Sequence, residues 1–300
     1  MKLTKIQNRF INNKSRGFSL MKGKSLTGKT LAAIYRVMNL ENNYCLYEED
    51  KILYLSYTDN SLEKSKEIYN NENKNCKFYS LFSMEKERVE FDSIKSLIGV
   101  YSNLYKKSKN LNYKLLSYEK SYDILKNDTF LKYISVFRKK SKILNKISLE
   151  DLYEEIMWIK SCNFTKEEYY EVNRIKRKNR ILKNSITRQC IYYLMEVYSS
   201  LLWDNGFNDI YDEVIFATKY SMDIKEKYTH IILDETEKLT KAEIEFVKSL
   251  YCKSEYSSFV YIVNNEETED KFSWLIKGRK LKTLGEDFKG KSYLFKTVFK

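Results

Sequence analysis

The stretch GFSLMKGKSLTGKT, residues Gly17–Thr30, decides how this chain is read. Gly17 to Met21 has the apolar texture of a buried strand, and TLAAIYRVMNL, Thr30 to Leu40, continues at helical spacing. Between them Gly23, Gly28, Lys29 and Thr30 satisfy the pattern GxxxxGK[ST], in the strand, loop, helix context that this pattern requires. Its physical content is an anion cradle: glycines let backbone N–H groups approach phosphates, and the helix start adds partial positive charge. On this reading Gly23, Lys24, Ser25, Leu26, Thr27, Gly28, Lys29 and Thr30 surround a phosphate chain. Lys29 reaches the outer phosphates and the Thr30 hydroxyl coordinates magnesium. A chance surface loop is the competing account, and the flanking strand and helix disfavour it.

Working outward, Lys51 to Tyr57 (KILYLSY) has the near-continuous apolar character of a strand covered on both faces, and Ser61 to Asn70 then reads as a helix. With a short helix over Leu3 to Asn13, the first 70 residues alternate strand and helix, which is α/β grammar. From about residue 84 to 225 the texture changes to charged stretches with apolar residues at helical spacing, such as YEEIMWIKS (Tyr153 to Ser161). Strands resume at His230 to Leu233, Phe259 to Val263 and Ser292 to Val298. The expected architecture is an α/β domain with a parallel sheet, built from residues 1–83 and 226–300, carrying a large helical insertion over 84–225.

A chain of 300 residues that is 43% hydrophobic can bury a substantial core. Its formal net charge of +13 favours an anionic partner, nucleic acid before an acidic membrane surface. A compositional bias toward Lys, Asn, Ile and Tyr accounts for the excess equally well. Five cysteines stand far apart with no CxxC pair, and there is one histidine, which argues against a zinc site or a disulfide framework. No apolar run approaches 18 residues, so the expectation is a soluble, cytoplasmic protein with no membrane partner.

Asp234 and Glu235 follow the apolar run HIIL, where a phosphate-loop enzyme places its second metal-binding carboxylate and the general base that polarises water. The same residues also read as an acidic helix start. A basic run, Arg174 to Arg188, contains Arg174, Lys176, Arg177, Lys178 and Arg180; it suits either a phosphate backbone or a solvated helix face.

In order and spacing, these motifs resemble the first motor domain of the UvrD/Rep-type superfamily 1 DNA helicases. Gln7 stands where the family's adenine-contacting glutamine lies, Gly23 to Thr30 match its Walker A loop, and Arg36 matches an arginine later in the same helix. Leu55, Tyr57, Thr58 and Asn60 match a motif that contacts single-stranded DNA, and Asp234 and Glu235 match the Walker B pair. The resemblance implies a RecA-like P-loop NTPase domain that binds ATP and Mg2+ and acts on single-stranded DNA. It covers the first motor domain only, so it implies ATP hydrolysis without unwinding by this chain alone, and a partner chain that supplies a second motor domain. A non-hydrolytic nucleotide- or nucleic-acid-binding module is the alternative. Two segments depart from the family: DETEK puts Glu237 and Lys238 where it has glutamine and aspartate, and NNEET puts Asn264, Asn265 and Thr268 in a γ-phosphate-sensing motif.

Overall fold

The computed structural model describes residues 3–14, 16–76, 87–174, 180–266, 270–276 and 279–299. They form two compact units. One comprises residues 1–97, 223–239 and 247–300; the other comprises 98–222 and 240–246.

The first unit is built on a six-stranded sheet of β1 (Gly17–Gly23), β2 (Ile52–Ser56), β3 (Val89–Ser93), β6 (His230–Leu233), β7 (Ser258–Asn264) and β8 (Ser292–Phe295), in the order β3-β2-β6-β7-β1-β8. Every pairing is parallel. All of β2 and β6 is buried, as continuous apolar runs covered on both faces require. On one face Met21, Ile52, Tyr54, Ile232, Val260 and Ile262 pack against α1 (Lys5–Ile11), α2 (Lys29–Asn43) and α3 (Asp59–Cys76). Ala32 and Ala33 let α2 lie close to the strands. Thr4 caps α1 in a reciprocal box: its hydroxyl accepts from the Gln7 N–H, and the Gln7 amide oxygen accepts from the Thr4 N–H at 2.7 Å.

Strand β3 lies within the range expected to be helical. Its run VEFDS is short and only partly buried at the sheet edge, so it lacks the apolar signature of its central neighbours.

The second unit is predominantly helical: most of α4 (Ile94–Ser108), then α5 (Tyr118–Tyr122), α6 (Asp128–Lys140), α7 (Leu149–Cys162), α8 (Lys166–Glu171), α9 (Ile186–Asp204), α10 (Ile210–Asp223) and the start of α11 (Lys241–Ser249). The two-residue strands β4 (Lys114–Leu115) and β5 (Phe207–Asn208) pair in parallel. Its interior holds an ion triad in which the Lys160 ammonium lies 2.7 Å from Asp209 and 2.8 Å from Asp212, all nearly inaccessible. Asp209 also caps α10 by accepting from the N–H groups of Tyr211 and Asp212. Among the described residues no helix is long and apolar enough to cross a membrane.

Candidate phosphate-loop site

The loop leaves the carboxyl end of β1 at Gly23 and enters α2 at Lys29. Two residues take left-handed backbone conformations, Leu26 (φ 60°) and Gly28 (φ 73°), and no side chain caps the helix start. Torsion favours glycine at Gly28, and both glycines sit where a side chain would crowd its neighbours. A Cβ at Gly23 would lie 2.5 Å from the Thr27 hydroxyl, and one at Gly28 would lie 2.7 Å from the Gln7 amide nitrogen. The loop is braced from within: Thr27 Oγ1 donates to the Lys24 carbonyl, and the Lys29 ammonium donates to the carbonyls of Gly23 at 3.0 Å and Lys24 at 2.6 Å. Burial lowers the pKa of Lys29, opposed by the charges of Asp234, Glu237 and Glu266.

Asp234 and Glu235 follow β6, and β7 separates β6 from β1. Burial raises the pKa of Asp234; hydrogen bonds from the Tyr54 hydroxyl and the Glu235 N–H, together with Lys29, partly offset it. Glu235 adopts φ 54°, a left-handed conformation that is costly for a residue with a Cβ. Its Oε2 lies within hydrogen-bond distance of Ser56 Oγ (3.0 Å), the Thr58 N–H (3.2 Å) and Thr58 Oγ1 (3.1 Å), and Oε1 pairs with the Lys238 ammonium. Burial alone would raise its pKa, but the Lys238 pairing and these hydrogen bonds bring it below the usual carboxylate range. Glu237, where the helicase family has glutamine, is buried and accepts from the Asn264 N–H at 2.9 Å; burial raises its pKa. Across the loop mouth, Glu266 accepts from Ser25 Oγ at 2.8 Å and from the Asn264 amide at 3.0 Å.

A cavity of about 210 Å³ adjoins the loop, lined by Thr4, Ile6, Gln7, Thr27, Phe295 and Phe299 among others. Gln7 is buried and donates to the Thr27 carbonyl at 3.3 Å, so the glutamine singled out in the sequence touches both loop and cavity. Arg36 does not. It is buried on α2, donating to the Ile11 carbonyl at 2.7 Å and to the Asn39 side chain, and it joins α2 to the end of α1 instead of facing the loop.

Of the residues expected at nucleic acid, Tyr57 is half-buried with the ammoniums of Lys95 and Lys238 at 5.4 and 5.6 Å from its ring centroid. Thr58 is engaged with Glu235, and Asn60 is exposed in the first turn of α3. Arg174 departs from its expected role. Its side chain is 1% exposed, pairs with Glu154 and Glu155, and lies over the Trp158 ring at 4.6 Å, so its charge is neutralised inside the helical unit. Arg180 is exposed; Lys176, Arg177 and Lys178 lie outside the described residues, as does Thr268.

Sequence reading overlooked Tyr54, Ser56 and Lys238. Tyr54 and Ser56 sit inside the strand run ILYLS, where apolar neighbours disguise their polar ends; Lys238 was seen only as a departure from a motif.

Magnesium carried by a phosphate chain needs one or two carboxylates from the protein, with phosphate and water oxygens completing its shell. Asp234 is a carboxylate of that kind, and the hydroxyl of Thr30 is a further oxygen donor beside it in the sequence-predicted set. Among the described residues no cluster of three or more His, Cys, Asp or Glu could hold a metal unaided. No protein-family model and no curated protein sequence matches this chain.

Proposed function

We propose that the chain binds a nucleoside triphosphate, ATP, with magnesium and hydrolyses it, as a P-loop ATPase resembling the first, RecA-like motor domain of UvrD/Rep-type DNA helicases. One observation carries the reading: the loop with Lys29 leaves β1, and Asp234 leaves β6, at the same carboxyl end of a parallel sheet with only β7 between the two strands. The carboxyl end of such a sheet is where ligands settle in open α/β folds.

In this reading the loop amides and Lys29 hold the phosphates, with the ammonium leaving the Gly23 and Lys24 carbonyls to do so. Thr30 and Asp234 hold magnesium, which when bound neutralises charge on the phosphate oxygens. Glu235 receives a proton from the attacking water, and the cavity beside Gln7 takes the base. Single-stranded DNA lies along Tyr57, Thr58 and Asn60. A second reading, a nucleotide-binding module without turnover, is favoured by one feature: both Glu235 oxygens are already engaged by donors.

Calorimetric titration with MgATP tests the binding claim. Wild type should bind and Lys29→Ala should not; equal affinity in both would remove the phosphate-cradle assignment. Glu235→Gln should bind yet fail to turn over, and continued hydrolysis in that variant would mean that the base lies elsewhere.

A further inference from the structure

Ser56, Tyr57 and Thr58 are consecutive, and they divide their work. The outer two place donors on Glu235 Oε2, while the ring between them lies beside the Lys238 ammonium that pairs with Oε1. We propose that Lys238 is a positioning residue that restrains Glu235 in a resting arrangement and yields it when a phosphate of single-stranded nucleic acid, its base stacked on Tyr57, takes the ammonium instead. This rests on the ATPase reading above and adds to it the route by which one ligand controls the base.

The geometry supports an exchange rather than a permanent brace. Lys238 is 37% exposed and Glu235 17%, so an incoming anion reaches the lysine before the carboxylate. Two ammoniums, Lys95 and Lys238, lie over one flat ring, so a base that displaces Lys238 from it brings its phosphodiester within reach of both cations. A duplex buries its base faces, whereas a single strand offers them. The chain's charge of +13 draws such a polyanion in. Once Lys238 turns to a phosphate, Oε1 loses this cationic partner, while the Ser56 and Thr58 donors stay on Oε2. The carboxylate is then open to water on one side. Because the Lys238 ammonium cannot fully serve carboxylate and phosphate together, the coupling is reciprocal: what weakens the Glu235 pair strengthens the nucleic-acid contact.

That reciprocity gives a test independent of ATP. The full chain, without nucleotide, is titrated into a fluorescein-labelled oligothymidylate and followed by anisotropy. Glu235→Gln should tighten binding by roughly two- to fivefold, the range that a partly exposed ion pair is worth. Lys238→Ala should weaken binding, and Glu235→Gln added to it should then change nothing, while Lys238→Arg should behave as wild type. A tightening by Glu235→Gln that persists in the Lys238→Ala background, or no tightening at all, overturns the proposal. With MgATP present, Lys238→Ala should raise basal turnover and flatten stimulation by the oligonucleotide; unchanged values of both also overturn it. If the anisotropy pattern holds while wild type fails to bind MgATP, the exchange stands and the ATPase reading falls.

Discussion

Tyr54 and Asp234 meet across neighbouring strands: the phenol of β2 donates to the carboxylate that follows β6 at 2.9 Å, with both side chains buried. The same hydroxyl accepts from Ser65 on α3 at 3.1 Å, so a helix, a strand and the candidate metal ligand share one polar chain inside an apolar core. Removing the donor leaves a buried carboxylate short of a partner. Tyr54→Phe should therefore lower unfolding free energy by about 1–3 kcal/mol in urea titrations. Because the pKa of Asp234, already raised by burial, climbs further, more magnesium should be needed for half-maximal ATP binding, increasingly so below neutral pH.

Gly28 combines φ 73° with a steric limit set by the Gln7 amide. Gly28→Ala should cost about 1–2 kcal/mol of stability from the left-handed backbone alone. Displacement of Gln7 from the Thr27 carbonyl should weaken ATP binding as well, read by calorimetry. A stable variant with unchanged affinity would mean that the loop adapts.

Glu266 lies across the loop mouth on Ser25 and Asn264, with Lys24 and Lys29 in its field. A carboxylate there repels an incoming triphosphate. Glu266→Gln should tighten MgATP binding by roughly two- to fivefold and should do so less at high salt, since exposed charges are screened.

His230 is the chain's one histidine, buried in β6, with its ring nitrogens against Ser258 Oγ and the Tyr44 carbonyl, both at 3.1 Å. Burial lowers its pKa to about 4. The unfolded chain therefore takes up a proton before the folded one does. Stability from the neutral ring is complete above about pH 6.5 and is lost as pH falls toward 4, by up to about 3 kcal/mol. A single imidazole resonance titrating near pH 4, and a flatter stability profile in His230→Gln, are the expected observations.

Arg174 and Arg180 stand six residues apart in the same basic run and should respond differently. Arg174→Ala removes a buried cation that pairs with Glu155 and should cost roughly 3–5 kcal/mol of stability. Arg180→Ala should leave stability near wild type and weaken oligonucleotide binding, an effect that fades as salt rises.

Much of the sheet was legible because its central strands are buried on both faces and are apolar almost throughout, as the runs ILYLS, HIIL and SFVYIVN show. Strand β3 was not, since an edge strand has no such requirement. Gly23, Gly28 and Lys29 were legible because a tight strand-to-helix loop constrains adjacent residues, a constraint written locally in the chain. Arg36 was expected at the nucleotide from its place in the helicase resemblance and Arg174 at nucleic acid from its basic run; neither signal shows what lies beside the guanidinium.

By itself, the sequence determined the alternation of strand and helix, the glycine loop between β1 and α2, and the acidic pair after β6, because periodicity and local steric need are properties of neighbouring residues. Only the tertiary structure decided that Ser56, Thr58 and Lys238 converge on Glu235, that Tyr54 holds Asp234, and that Arg174 is spent inside the helical unit. The pairings of Tyr54, Ser56 and Thr58 with the acidic pair join positions 177 to 180 residues apart, and such separations are closed by sheet register and packing, which no local pattern encodes.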